Sequence, residues 1–254
     1  MAWPDEPEAA TAATATADGN GQVLEVSNLN AGYGPLTAVF DADLHVKRGE
    51  VVALMGHNGA GKTTTVKSIF GLVKARGGTV RYQGEDITGD TPRRNVERGM
   101  SFTPAEQFVF GDLSVRDNLR LGALSNASDE RRGARMEQVL ELFPILGERA
   151  NQLAGTFSGG QQRMLSIGIA LMSDPKLMLL DEPSLGLSPA VVEQILHTLR
   201  RLADEEAMTV LIVEQNMKYS LEVADRIVIM HSGRTKLDAT ADDMRNRGNW
   251  WDLF

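Results

Sequence analysis

The feature that most constrains the fold of this chain is a glycine-rich turn at residues 56–64, GHNGAGKTT. The apolar run VVALM precedes it as a short buried strand, and a helical pattern from about Lys62 to Phe70 follows it. Glycines let backbone N–H groups turn toward phosphate oxygens, and the N-terminus of a helix adds a partial positive charge. The pattern G-x-x-x-x-G-K-[ST] between a strand and a helix therefore predicts a nucleotide-binding loop.

We call residues 56–64 the phosphate loop. We expect the ammonium group of Lys62 to reach the β- and γ-phosphates, and the hydroxyl group of Thr63 to help hold Mg²⁺. The imidazole of His57 is expected to face solvent and not to act as a base. The predicted nucleotide-binding residues of the loop are Gly56, His57, Asn58, Gly59, Ala60, Gly61, Lys62, Thr63 and Thr64.

Two acidic residues follow another apolar run, in LMLLDEP at residues 177–183. A buried strand would deliver Asp181 to the edge of the sheet, where its carboxylate can hold Mg²⁺ directly or through water. Neighbouring strand residues point to opposite sides, so Glu182 can face a water molecule instead and act as the general base. The alternative is a pair of acids in an ordinary turn. The chain lacks the N-K-x-D motif that reads guanine, which favours ATP as the nucleotide.

Strand and helix patterns alternate along most of the chain, which predicts an α/β fold with a mainly parallel sheet. The stretch from about Leu113 to Met172 carries only helical patterns, and we call it the helical block. Residues 1–21 are rich in Ala and Thr and read as a disordered tail. We expect the core domain at residues 22–239. Residues 240–254 are expected to form a C-terminal helix and an aromatic tail with Trp250 and Trp251, whose packing the sequence leaves open.

The net charge of the chain is −8, from 34 acidic and 26 basic residues. An acidic surface repels a polyphosphate backbone, which argues against nucleic acid as a partner. No apolar run approaches the ~20 residues that cross a bilayer, and the first residues lack the basic and apolar parts of a secretory signal. With no cysteine in the chain, these features predict a cytosolic protein.

A second turn of similar composition occurs in TFSGGQQRM at residues 156–164. We expect Ser158 to cap a helix that runs to about Met172, while two glycines bare the backbone N–H groups at its start. A capped helix with a glycine turn is common by itself. In combination with the phosphate loop and with LLDEP after it, the turn SGGQ resembles the signature of the ATP-binding cassette (ABC) family, over residues 22–239.

The resemblance implies a P-loop cassette with a parallel core sheet, an antiparallel β-subdomain and an inserted helical subdomain. Two cassettes of this family pair head to tail, so that the signature turn of one closes over the ATP held by the other. Tyr33 matches the aromatic residue that stacks on adenine, although a surface tyrosine is the alternative. The segment SLGLSP after Glu182 matches a loop that contacts the second cassette. The signature turn comprises Ser158, Gly159, Gly160 and Gln161.

The sequence departs from the family pattern at two positions. Ala105 stands where the family has Gln or Glu, and its methyl group cannot coordinate Mg²⁺; replacement by Glu106 or Gln107 is a hypothesis. Gln215 stands where most members have a histidine that contacts the γ-phosphate. A glutamine donates a hydrogen bond but carries no charge, so we expect an active site without a titration near pH 6.5 at this position.

The segments VEQN, DEPSLGLSP and ELFPIL resemble the ABC subset that serves importers of branched-chain amino acids, and related importers of urea or short amides. This implies a peripheral subunit on the cytoplasmic face of the membrane, docked on permease subunits and served indirectly by a substrate-binding protein. The docking groove is expected around residues 102–125, with Phe108 and Phe110 as anchors or packed within the cassette. The second cassette is expected to be a different chain, with a homodimer left open.

Three other functions are compatible with parts of this pattern. An ATPase of a lipid or lipopolysaccharide exporter has the same short form but generally retains the histidine at the position of Gln215. A soluble ABC ATPase acting on DNA or ribosomes would carry a coiled coil or two cassettes. A P-loop kinase would make the SGGQ turn accidental, and it would form no ATP-dependent dimer.

Overall fold

The computed structural model describes residues 21–106, 108–124 and 129–247 of the chain. These residues form two sheets with helices packed on them, and the two strands predicted at VVALM and LMLLD are present. The strands are β1 (Gln22–Tyr33), β2 (Leu36–Lys47), β3 (Val51–Met55), β4 (Ala75–Tyr82), β5 (Glu85–Asp86), β6 (Met100–Thr103), β7 (Leu177–Asp181), β8 (Thr209–Glu214), β9 (Arg226–His231) and β10 (Arg234–Thr240).

The larger sheet has the strand order β10-β9-β3-β8-β7-β6. All its neighbouring pairs are parallel except β10 with β9, which confirms the predicted mainly parallel sheet. Strands β3, β7 and β8 are buried at every position, as continuous apolar runs require when helices cover both faces. The carboxyl ends of the parallel strands share one edge of the sheet, where α/β proteins bind their ligands. This edge brings together loops from distant parts of the chain.

The smaller sheet is antiparallel, with the order β2-β1-β4-β5, and it corresponds to the expected antiparallel subdomain. It joins the larger sheet beside the turn between β9 and β10. There the backbone N–H of Phe40 donates to the carbonyl oxygen of Gly233 at 2.8 Å. A shared apolar cluster, including Leu24, Val52 and Val228, packs between the two sheets. The phosphate loop is thereby supported from both sheets.

Helices alternate with the strands of the larger sheet, and the helical block carries four of them in the described residues. Its first and last helices pack together, and a Cβ added to Gly168 would lie 3.1 Å from the side chain of Leu119. The prediction of helices without extended strands there is confirmed. The helices are α1 (Lys62–Ile69), α2 (Pro92–Glu97), α3 (Val115–Gly122), α4 (Asp129–Leu142), α5 (Pro144–Glu148), α6 (Gly159–Leu171), α7 (Pro189–Glu206), α8 (Met217–Val223) and α9 (Ala241–Asn246).

Some predictions for the chain ends lie outside the described residues. This applies to the tail at residues 1–20 and to residues 248–254, which include both tail tryptophans. The division into a core domain and tails stays a prediction. No helix in the described ranges is long and apolar enough to span a bilayer.

Candidate nucleotide-binding site

The phosphate loop follows β3 and ends at the start of α1. Gly56 and Gly61 have φ values of +151° and +100°, which side chains disfavour. A Cβ on Gly56 would lie 2.3 Å from the carbonyl oxygen of Met230, and one on Gly61 would lie 2.9 Å from that of Ala38. Both positions thus require glycine for conformation and for space.

The side chain of Lys62 folds back over the phosphate loop and is only 4% exposed. Its ammonium group donates to the carbonyl oxygens of Gly56, at 2.6 Å, and His57, at 3.1 Å. Burial lowers the pKa of Lys62, while the nearby carboxylates of Glu182 and Asp181 raise it. The result is a desolvated cation at the centre of the loop, where a phosphate oxygen would be a stronger acceptor than a backbone carbonyl.

Thr63 and Asp181 meet at the edge between β3 and β7. The hydroxyl group of Thr63 donates to Oδ1 of Asp181 at 2.9 Å. Burial raises the pKa of Asp181, and the hydrogen bond from Thr63 partly opposes this shift. A hydroxyl and a carboxylate are hard oxygen ligands that suit Mg²⁺. No group of three or more acidic, histidine or cysteine side chains in the described chain could hold a metal by itself, so phosphate oxygens or water would complete the coordination.

The two side chains predicted to be catalytic lie in contact. Glu182 directly follows β7, and its backbone N–H donates to Val213 at 3.0 Å. Its φ of +46° is uncommon for a residue with a side chain. The amide nitrogen of Gln215 donates to Oε1 of Glu182 at 2.5 Å. A neutral donor holds the carboxylate here while leaving it a second oxygen as a proton acceptor.

Glu214 is a buried acidic residue of the site that the sequence analysis missed. It ends β8, and its carboxylate accepts hydrogen bonds from the hydroxyl of Ser184, at 2.9 Å, and from the backbone N–H groups of Ser184 and Gln215, both at 3.2 Å. Burial raises the pKa of Glu214. The carboxylate therefore ties the loop after Glu182 to the backbone of Gln215. The only sequence signal was an acid at the end of the apolar run TVLIV.

The signature turn forms the start of α6. The backbone N–H of Gln161 donates to the hydroxyl oxygen of Ser158 at 3.4 Å, and the backbone N–H of Ser158 donates to the side chain of Gln161 at 3.0 Å. This capping box confirms the predicted cap. Gly160 faces α7, where an added Cβ would lie 3.1 Å from Val191. The side chain of Ser158 is exposed.

Other residues singled out in the sequence are Tyr33 and those that follow β6. Tyr33 ends β1 beside a hairpin turn and is half exposed, as a stacking platform requires. Ala105 is half buried and Glu106 is exposed. Gln107 lies outside the described residues, so its proposed substitution for the family residue stays a prediction. Phe108 and Phe110 are 60% and 44% exposed, which disfavours their alternative packing within the cassette.

Sequence comparisons with known proteins identify the family of this chain. Residues 39–185 match the family described as ABC transporter. A high-affinity branched-chain amino acid transport ATP-binding protein, BraG of Pseudomonas aeruginosa, is 42% identical over 86% of this chain and 93% of its own length. A probable branched-chain amino acid transport ATP-binding protein, LivF of Archaeoglobus fulgidus, is 36% identical over 87% of this chain and 94% of its own length.

The fold has a close counterpart among solved structures. The ADP conformation of an ATP-binding cassette of an ABC transporter superimposes with a TM-score of 0.81 at 25% identity, covering 91% of this chain and 96% of that one. This superposition confirms the α/β cassette fold predicted from the sequence.

Proposed function

This chain belongs to the ABC transporter family and is an ATPase of that family, and from that premise we propose that it energises a membrane importer of branched-chain amino acids. The observation that carries the proposal is the contact of Gln215 with Glu182 beside the phosphate loop. This contact fixes the carboxylate of Glu182 near the ammonium group of Lys62, which would bind phosphate. The transported compound is inferred from the named relatives, since it does not touch this chain.

The geometry supports a direct route for ATP hydrolysis. Lys62 binds the β- and γ-phosphates and offsets the charge that develops on the leaving phosphate. Glu182 takes a proton from the water that attacks the γ-phosphorus, and the bond to the β-phosphate oxygen breaks to give ADP and phosphate. Gln215 orients the Glu182 carboxylate throughout. Mg²⁺ held by Thr63 and Asp181 would neutralise phosphate charge.

A second cassette completes the site in this proposal. Ser158 is exposed at the start of α6. Its hydroxyl group and the N-terminus of α6 would bind the ATP held by the partner. Leu185, in the loop after Glu182, is 56% exposed and is available to the other cassette. Since ATP bridges the two chains, ATP binding favours the dimer, and ATP hydrolysis lets the two chains separate. We propose a pair of different cassettes bound to permease subunits at the cytoplasmic face of the membrane, with a substrate-binding protein acting indirectly.

The decisive experiment is the variant Glu182→Gln. We expect ATP hydrolysis to fall by about 10²–10⁴-fold, because the proton acceptor is lost. We also expect a dimer that forms only with ATP and Mg²⁺, measured by light scattering after size exclusion. The exposed Glu141, on α4, provides the control variant Glu141→Gln. A Glu182→Gln protein that stays monomeric, alone and with its partner cassette, would contradict the proposal.

The transported compound requires a separate test. Complexes captured through a tag on this chain would be reconstituted in liposomes, and ATPase activity would be measured with leucine, isoleucine, valine, urea and acetamide. We expect stimulation by the branched-chain amino acids together with their binding protein. Stimulation by urea or acetamide alone would reject the proposed substrate while retaining the transporter ATPase.

A further inference from the structure

Arg163 is the largest fully buried side chain in the described part of the chain, with an exposure of 1%. It lies in the second turn of α6, after the signature turn. Burial lowers its pKa, and the negative charges of Asp181 and Glu214 partly restore it. Among the described residues no carboxylate lies within ion-pair distance of it. A buried cation placed among carbonyl groups is costly, so its contacts call for a functional explanation.

The guanidinium group of Arg163 joins three separate segments. It donates to the carbonyl oxygen of Pro104 at 2.6 Å and to that of Ala105, both in the loop after β6. It also donates to the carbonyl oxygen of Glu182 at 3.3 Å. One planar group thus connects α6, the loop after β6 and the residue that carries the general base.

Arg163 contacts the backbone at Ala105 and at Glu182, and each of these residues has a reason to need that contact. Ala105 has no polar side chain, so its loop can be held at this position only through its backbone. Glu182 has a left-handed backbone, which persists only where its surroundings determine it. The carbonyl oxygen of Glu182 is one of the groups available to hold that conformation, and Arg163 binds it.

We propose that Arg163 is a positioning residue that holds the backbone of Glu182 against the loop at Pro104 and Ala105. The methyl side chain of Ala105 cannot link this loop to Glu182. The guanidinium group of Arg163 makes that link by donating to the carbonyl groups of both segments. This inference rests on the proposed role of Glu182 in hydrolysis. Arg163 itself does not touch ATP.

The test uses the full chain with the variants Arg163→Lys and Arg163→Met. We expect kcat for ATP hydrolysis to fall by about 10- to 100-fold in Arg163→Met, because a shift of the base by about 1 Å has effects of this size. The KM for ATP should stay unchanged, because the phosphate loop is intact. Arg163→Lys should recover part of kcat, since a lysine can donate to one of the carbonyl groups.

Arg135 provides a matched control because it is also a buried arginine. It is 9% exposed and bonds the carbonyl oxygen of Leu171 and the carboxylate of Glu206, within the helical block and its neighbour α7. Arg135→Met should lower the melting temperature and leave kcat unchanged. This separates a loss of stability from a loss of positioning.

The outcomes separate this inference from the proposed function. Wild-type protein without ATPase activity, alone and in the captured complex, would contradict the function itself. Active wild-type protein with wild-type kcat in Arg163→Met, or with a raised KM and unchanged kcat, would overturn only the role of Arg163. If Arg163→Met does not fold, Arg163→Lys decides: wild-type kcat in that variant overturns the proposal, and a lowered kcat at unchanged KM supports it.

Discussion

The buried carboxyl group of Asp181 is suited to bind Mg²⁺, but burying its charge destabilises the fold. Its carboxylate is 2% exposed and its pKa is raised, first of all by burial. The folded protein therefore favours the neutral acid, and stability is lost as pH rises through the raised pKa. When the carboxyl group ionises, the protein holds a buried charge that water would solvate better. A bound cation would reverse this preference.

We therefore expect Asp181→Asn to stabilise the nucleotide-free protein at pH 7 while it abolishes Mg²⁺-dependent hydrolysis. The amide retains an oxygen for the hydroxyl of Thr63, and the buried charge is removed. A gain of about 1 kcal/mol corresponds to a rise of ~2–4 °C in the melting temperature for a chain of this size. Differential scanning calorimetry would measure the shift.

The pH dependence checks the physical cause of this shift. Below the raised pKa of Asp181 the wild-type carboxyl is also neutral, so the advantage of Asp181→Asn should shrink as the pH is lowered. Asp204, an exposed partner of Arg200, provides the control variant Asp204→Asn. An advantage of Asp181→Asn that is equally large in acid would show that burial of the charge is not its source.

At the scale of elements, the starts of α3 and α6 offer a direct comparison. Both helices begin with a serine whose hydroxyl accepts a backbone hydrogen bond, from Asp117 at 3.1 Å for Ser114 and from Gln161 at 3.4 Å for Ser158. Removing either cap should cost about 1 kcal/mol of stability. Only Ser158 lies in the signature turn. The pair thus separates the energy of a cap from a role in binding ATP.

We expect Ser158→Ala in the Glu182→Gln background to lose the ATP-dependent dimer, because the turn loses its hydroxyl and its helix start frays. Ser114→Ala in the same background should retain the dimer. Both variants should melt ~2–4 °C lower than their parent. Light scattering with ATP and Mg²⁺ measures the dimer. Dimerisation that is equally strong in both variants would remove the signature turn from the interface.

At the scale of the whole molecule, an exposed aromatic pair stands apart from the core. The rings of Phe108 and Phe110 meet edge to face with centroids 5.5 Å apart. Asn118 of α3 holds the backbone of Phe110 through hydrogen bonds at 2.8 and 2.9 Å. Aromatic side chains on a held backbone are suited to anchor a partner helix at low entropic cost.

We expect the double variant Phe108→Ser/Phe110→Ser to lose association with the permease while it retains ATP binding and ATP-dependent dimerisation. The purified permease would be titrated and binding measured by fluorescence anisotropy. We expect affinity to fall at least 10-fold, the effect of losing one or two anchor residues. Leu72, 51% exposed in the turn after α1, provides the control Leu72→Ser. Unchanged affinity in the double variant would place the docking surface elsewhere.

Motifs with local causes were predictable from the sequence. The phosphate loop depends on glycines that only a tight strand-to-helix turn requires, and the cap at Ser158 depends on residues three positions apart. The continuous apolar runs of β3, β7 and β8 indicated a buried parallel sheet. Short elements such as β5 and α2 were missed, because two and six residues are too few to show a period.

What the sequence determined was therefore the type of the longer elements and the family of the site. The tertiary structure alone decided which side chains meet: Glu182 with Gln215, Glu214 with Ser184, and Arg163 with the carbonyl groups of two other segments. These contacts join residues that are far apart in the chain. Glu214 and Gln215 reach the segment after β7 because β8 lies beside β7, and the loop after β6 reaches it because β6 lies on the other side of β7. The order of the strands depends on how all the helices pack on the sheet. A local sequence pattern does not contain this information.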